Sequence, residues 1–123
     1  YTADSMYTPY SDTGILCIYF GCDQKNLDKC IHIMNKEIKN LCKEEISALQ
    51  LSKAKKQLIG QMAISSEHKE NLAFSMAKSF LHFNRFDSLE STYQALEKVT
   101  SKQIRDIANQ LFEPKQMTTL IYK

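Results

Sequence analysis

Residues 10–22 constrain the fold of this chain more than any other stretch. The stretch opens with turn-forming residues, runs apolar, β-branched and aromatic over residues 15–20, and closes at Gly21. A short run of this composition between glycines is typical of a β-strand. Both faces of the strand are apolar, so we expect it to lie inside a sheet with cover on two sides.

The rest of the chain predicts an α+β fold with antiparallel strands. Residues 2–7 fit a strand that pairs with residues 13–20 as a hairpin. Apolar residues at helical spacing then predict five helices: one over residues 24–43 after an Asp23 cap, one after Ser47, one ending near Asn84, one capped by Asp87 or Ser88, and one from Thr100 that stops before Pro114. Residues 117–122 predict a closing strand. The order is β-β-helices-β, with a helical layer packed on one face of the sheet.

Two local patterns refine the predicted helices. Ser47 with Gln50 and Thr100 with Gln103 match the capping box, in which two side chains satisfy backbone groups at a helix start. Gly60 lies inside the second helix and costs about 1 kcal/mol of helix propensity relative to Ala. We therefore expect Gly60 to mark a close contact between helices.

Length and charge exclude several classes of protein. At 123 residues the chain is predicted to be a single domain, 1–123. A net charge of +2, with basic and acidic residues mixed along helix faces, does not predict nucleic-acid binding. No apolar run approaches the roughly 20 residues that cross a membrane, and no signal peptide is recognisable. We expect a cytoplasmic protein, and the start at Tyr1 without a methionine suggests a piece of a longer one.

The four cysteines predict free, buried thiols. No CxxC pair occurs among the four cysteines, which argues against a structural zinc site. They are Cys17, Cys22, Cys30 and Cys42. Cys30 and Cys42 fall on the apolar stripe of a predicted helix and Cys17 on a strand. Free thiols are favoured over disulfides, and they point to a reducing compartment.

No self-contained active site is visible in the residues alone. His32, His68 and His82 stand far apart, and none belongs to an H-x-x-E-H pattern. We predict no catalytic residue and no metal ligand in this chain. The aromatic and basic residues of 80–86 suggest a nucleotide platform at first sight, but their spacing favours a helix end that packs onto a core.

Several strings nevertheless resemble one family of enzymes. They are Tyr-Ser-Asp-Thr-Gly-Ile at 10–15, Tyr-Phe-Gly-Cys-Asp at 19–23, Leu-Ser-Lys-Ala-Lys-Lys-Gln-Leu-Ile-Gly at 51–60, Ser-Leu-Glu at 88–90, Val-Thr-Ser-Lys-Gln-Ile at 99–104 and Phe-Glu-Pro-Lys-Gln-Met-Thr at 112–118. In this order they are similar to segments of the insulinase/pitrilysin metallopeptidases, which include the mitochondrial processing peptidases and many bacterial zinc proteases. The resemblance covers nearly the whole chain.

The resemblance implies that this chain is the latter part of a C-terminal, non-catalytic lobe. In the family the zinc site lies in the N-terminal lobe on an H-x-x-E-H motif, so zinc is implied for the parent protein and no cofactor for this chain. The lobe would partner the zinc-bearing lobe, close a chamber and help to hold the peptide substrate. By itself the chain would be inactive. The alternatives are a structural subunit of the same family without peptidase activity, or a free-standing helical interaction module.

The resemblance also implies one substrate-binding residue, Tyr1. Family members carry a tyrosine at the corresponding point upstream of Gly14, where it pairs with an earlier arginine. The tyrosine hydroxyl is a hydrogen-bond donor near the scissile carbonyl, where negative charge develops. The simpler interpretation is an ordinary tyrosine at a strand end. Finally, a sheet with one bare apolar face predicts a homo-oligomer formed through that face.

Overall fold

The computed structural model describes residues 2–122, and within them it contains one β-hairpin and five α-helices. The elements are β1 (Ala3–Pro9), β2 (Gly14–Phe20), α1 (Leu27–Lys43), α2 (Ala48–Ser66), α3 (Lys69–Phe83), α4 (Leu89–Glu97) and α5 (Ser101–Leu111). Short 3-10 turns, Gln24–Asn26 and Pro114–Gln116, precede α1 and follow α5. The predicted α+β class, with antiparallel strands followed by helices, is confirmed.

The hairpin forms where the turn chemistry predicts it. β1 and β2 pair antiparallel, with Ala3 opposite Phe20 and Pro9 opposite Gly14. Tyr10 closes the intervening loop, because its N–H donates to the carbonyl oxygen of Thr13 at 2.8 Å. A Cβ atom at Gly14 would lie 3.1 Å from the ring of Tyr7. Glycine therefore allows the Tyr7 ring to lie across the first residue of β2.

The prediction that β2 lies inside a sheet is wrong for the described part of the chain. The sheet there has only two strands, so both strands are edges. The closing strand is a second correction, since residues 117–122 form no strand in the range 2–122. The backbone at Met117 is extended, with φ −89° and ψ 133°. β propensity favours such a backbone, but a strand also needs a hydrogen-bonding partner.

The chain divides into two compact units. The first combines the chain up to Glu45 with the segment from Ile104 onwards, and the second runs from Ile46 to Gln103. The hairpin and α1 belong to the first unit, and α2, α3 and α4 belong to the second. The boundary falls inside α5, so this helix contributes residues to both units.

In the first unit, polar contacts join the end of α1 to α5. The side-chain amide of Asn109 donates to the carbonyl oxygen of Cys42 at 2.8 Å, and so satisfies a backbone acceptor in the last turn of α1. The guanidinium of Arg105 lies 3.0 Å from the carboxylate of Glu45. Both contacts join residues far apart in sequence, and they hold the segment after Ile104 against the end of α1.

In the second unit, the helices begin and end as the sequence predicts. Ser47 and Gln50 form the complete capping box of α2, and the hydroxyl of Ser88 accepts from the N–H of Ser91 at the start of α4. Asn84 ends α3 in the left-handed conformation, with φ 53°. Gly60 is a correction: nothing lies within 4 Å of a Cβ built there, so it marks no close helix contact.

Little of the apolar surface is covered. Within residues 2–122 the only buried hydrophobic side chains are Ile38 and Ala108. The accessible surface is 10726 Å², whereas two separate compact proteins of half this mass would together expose about 8,200 Å². The excess is therefore present whatever the arrangement of the units. In α3, Phe74 is 72% exposed and Leu81 is 83% exposed.

Candidate functional site

An open apolar groove lies between the hairpin and α1. Alternation along β2 places Leu16, Ile18 and Phe20 on one face of the sheet, and the last two line the groove. Ile33 and Met34 line it from α1. Its volume is about 550 Å³, which lies in the usual range for ligand sites of about 300–1,000 Å³. Of the predicted helices, α1 lies across this groove from the sheet face.

The rim of the groove carries its polar groups. The N–H of Gly21 donates to the carbonyl oxygen of Thr2 at 3.0 Å, which extends the strand pairing to the edge of the groove. Asn26, the N-cap residue of α1, and Lys29 in its first turn also line the site. An apolar floor with a few polar groups at the rim is suited to an apolar side chain attached to a peptide.

Two cysteines share this groove. Cys22 follows β2, Cys30 lies in the first turn of α1, and both line the groove. Desolvation of the half-buried thiol raises the pKa of Cys22, and the neighbouring Cys30 and the carboxylate of Asp23 raise it further. Cys22 is therefore a poorer nucleophile at neutral pH than an ordinary thiol.

The prediction of free thiols is confirmed, but the prediction that they are buried is wrong. Cys17 is exposed, and Cys22, Cys30 and Cys42 are half-buried. The reason is that few side chains cover the hairpin and α1. The sequence analysis did not predict that Cys22 and Cys30 lie in the same groove. A usable signal is that Cys22 follows a predicted strand and Cys30 lies near the start of the next predicted helix, after a short turn.

The opposite face of the hairpin is bare. On β2 it carries Ile15, Cys17 and Tyr19, and on β1 it carries Met6 between the polar residues Asp4 and Thr8. Met6 is 60% exposed and Tyr19 is 64% exposed. The hairpin therefore presents one face to α1, and its second face, apolar along β2 and mixed along β1, has no cover from residues 2–122.

The one predicted site residue, Tyr1, lies outside the described residues. Its chain neighbour Thr2 is fixed against Gly21 at the groove rim. No group of three or more His, Cys, Asp or Glu side chains suited to a metal ion occurs within residues 2–122. The side chains of this part of the chain thus do not fit a zinc ion.

The three histidines lie in different elements, and one of them, His82, belongs to the aromatic stretch 80–86. His32 is in α1, His68 precedes α3, and His82 is in the last turn of α3, where its ring centroid lies 6.1 Å from that of Phe83. The stretch is a helix end, as predicted. It does not pack onto a core, because Phe83 is 71% exposed.

No helix in the described range is long and apolar enough to cross a membrane.

Comparison with known proteins identifies relatives along the whole chain. Residues 1–58 match the family described as the Peptidase M16 inactive domain. The zinc protease YmxG of Bacillus subtilis is 24% identical over 121 residues, 98% of this chain. The zinc protease ML0855 of Mycobacterium leprae and the mouse mitochondrial-processing peptidase subunit beta are each 22% identical over 111 residues, 90% of the chain.

The chain spans only part of these relatives: 30% of YmxG, 25% of ML0855 and 22% of the mouse subunit. The resemblance expected from the strings at residues 10–15 and 51–60 is confirmed by these matches, because the family match covers residues 1–58 and the relatives extend it to the rest. The chain is therefore similar to part of the zinc proteases and the mitochondrial-processing peptidase subunit named above, and its residues 1–58 match the inactive domain of the M16, or insulinase/pitrilysin, peptidases.

Proposed function

We propose that this chain is one domain in the latter part of a C-terminal lobe that closes the chamber of a zinc-dependent peptidase and helps to hold its peptide substrate. The observation that carries the proposal is the apolar groove whose rim begins at Thr2, the residue next to Tyr1. A groove of about 550 Å³ accommodates a large apolar side chain of a peptide.

The hairpin supports the same function through its backbone. Both described strands are edges, and an edge strand offers unpaired N–H and C=O groups to an extended peptide. A peptide held in this way places alternate side chains on one face. We propose that one such side chain enters the groove between Phe20 and Ile33 while the peptide backbone is aligned by the sheet edge.

We propose Tyr1 as the substrate-binding residue of this lobe. Its hydroxyl would donate to the scissile carbonyl oxygen and stabilise the negative charge that develops there. The hydrogen bond between Thr2 and Gly21 supports this role, because it fixes the chain next to Tyr1 at the groove rim. An arginine upstream of Tyr1 in the parent protein would complete the pair that the family resemblance implies.

Zinc would be supplied by the N-terminal lobe of the parent protein. The side chains of residues 2–122 offer no group of three ligands, so no step of hydrolysis is assigned to a metal held by this chain. The parent lobe is also the proposed main partner. We further propose a cytoplasmic location, which the free thiols support because reducing compartments keep cysteines unpaired.

The decisive experiment compares this chain with its parent protein. The purified chain is expected to show no turnover of fluorogenic peptides with or without added zinc, whereas the parent should show turnover that a chelator abolishes. The control is the parent with the glutamate of its H-x-x-E-H motif replaced by glutamine. Chelator-sensitive turnover by the chain alone would contradict the proposal. A parent without the motif would instead establish the structural subunit.

The bare hairpin face predicts self-association of the isolated chain. We expect the sedimentation coefficient to rise with protein concentration, because association buries Met6, Ile15 and Tyr19 and so removes their apolar surface from water. Substituting Ile15→Lys with Tyr19→Lys should weaken association at least about 10-fold. The matched control adds two lysines in the hairpin loop, at Ser11 and Thr13. A wild-type chain that sediments as a monomer at every concentration would refute the prediction.

A further inference from the structure

We propose that Cys22 and Cys30 are a redox-active pair, which a small disulfide such as oxidised glutathione converts into an intramolecular disulfide. The 3-10 turn Gln24–Asn26 joins the end of β2 to α1, and the cysteines on its two sides, Cys22 and Cys30, line the same groove. Both are half-buried, which leaves them accessible to a small reagent. The pair lies in the groove that the proposed function assigns to the substrate, but its oxidation does not require that function.

The other two cysteines are poorly placed to compete. Cys42 lies on the same helix as Cys30 but twelve residues further on, which corresponds to about 18 Å along the axis. Cys17 points to the bare face of the sheet, while the groove lies on the opposite face. A disulfide needs Cα atoms within about 7 Å of each other. The fold therefore selects one pair from the four thiols.

The reaction balances with one oxidant. A thiolate of the pair attacks a sulfur of oxidised glutathione, breaks its disulfide and releases one molecule of glutathione. The second thiolate then attacks the mixed disulfide and releases another. Two protein thiols are oxidised, their two protons end on the two released glutathione sulfurs, and one glutathione disulfide is thereby reduced to two thiols. The raised pKa of Cys22 means that the reaction should become faster as the pH rises above neutral.

The product would change the groove. A bond between Cys22 and Cys30 would tie the end of β2 to the first turns of α1, which are two walls of the site. Reduction by excess glutathione would restore the open dithiol. Amide hydrogen exchange over residues 21–30 should therefore be slower in the oxidised chain than in the reduced chain.

The test treats the dilute 123-residue chain with oxidised glutathione and maps the disulfides by mass spectrometry. We expect a Cys22–Cys30 disulfide, with the chain mass lowered by two hydrogen atoms and no dimer on a non-reducing gel. Cys22→Ser and Cys30→Ser should each stop at a mixed disulfide with glutathione. The double control Cys17→Ser with Cys42→Ser should keep the rate of disulfide formation within about twofold.

Phenylarsine oxide, which bridges two neighbouring thiols, provides a second measurement without oxidation. The wild type and the Cys17/Cys42 control should bind it, and either groove variant should lose at least about 10-fold in affinity. A second pair of variants, Cys22→Ala and Cys30→Ala, should lose the same affinity. If their circular dichroism matches that of the wild type, unfolding is excluded as the cause of the loss. Glutathione found separately on Cys22 and Cys30, a disulfide that includes Cys17 or Cys42, or equal arsenical binding by all variants would overturn the proposal.

Discussion

Replacing Tyr1 with Phe in the parent peptidase is expected to lower kcat about 100-fold with little change in KM. Phe keeps the ring and removes only the hydroxyl, so the loss isolates one hydrogen bond. A donor aimed at a developing oxyanion is typically worth about 100- to 1,000-fold in kcat, because it interacts with the transition state more strongly than with the ground state. The measurement is steady-state hydrolysis of one fluorogenic peptide by both proteins at equal zinc content.

Tyr10→Phe is the matched control for this experiment. Tyr10 lies in the hairpin loop and is 57% exposed, so loss of its hydroxyl should leave kcat within about twofold. If Tyr1→Phe raises KM and leaves kcat unchanged, the hydroxyl binds the substrate without favouring the transition state. If neither constant changes, Tyr1 is an ordinary tyrosine, and the groove alone must carry the substrate role.

The local features of the fold were predictable from sequence because their determinants are local. Ser47 and Gln50 satisfy each other's backbone groups within one turn, and Pro9 and Gly14 bracket a hairpin loop whose geometry follows from nearby residues. Asn84 tolerates the left-handed conformation that ends α3. In each case the residues that decide the structure are separated by only a few positions.

The predictions that were wrong share one physical cause, because each of them depended on which other segment covers a surface. The sequence shows that Ile15 and Tyr19 are apolar, but it does not show whether a second strand or helix lies over them. The predicted burial of Cys17, the contact at Gly60 and the pairing of residues 117–122 all required distant partners. Propensity and periodicity describe preferences of a segment, whereas burial is a property of two segments together.

The candidate site was only partly predictable for the same reason. The alternation along β2 identifies Ile18 and Phe20 as one face, and helical spacing predicts the apolar stripe of α1. The groove exists because those two surfaces approach each other without closing. Its thiol pair likewise depends on the turn between β2 and α1, which brings Cys22 and Cys30 together across eight positions. The position of one cysteine after a strand and of the other at the start of the next helix is a signal for the pair, but the approach of the sheet face to α1 that forms the groove has no local signature.

The second large effect is expected at Ile38, one of the two buried hydrophobic residues within 2–122. Ile38→Ala should reduce the free energy of unfolding of the first unit by about 3 kcal/mol, because it removes buried methyl groups and leaves a cavity. Ile33→Ala on the same helix is the control. Ile33 is 49% exposed, so its loss should cost only about 1 kcal/mol.

Native-state hydrogen exchange of the α1 amides measures both losses within the first unit, without requiring the two units to unfold together. If Ile38→Ala and Ile33→Ala lose equal stability in the isolated chain, Ile33 is covered there. A second copy of the chain bound at the groove would be one such cover, and diluting the chain should then lower the cost of Ile33→Ala. In the parent protein, the cost of Ile33→Ala reports on peptide binding at the groove. Because the proposed function places the groove inside a closed chamber, the cost of Ile33→Ala should stay near 1 kcal/mol without peptide. It should rise when a peptide binds, since binding to the native state alone adds stability that the variant forfeits.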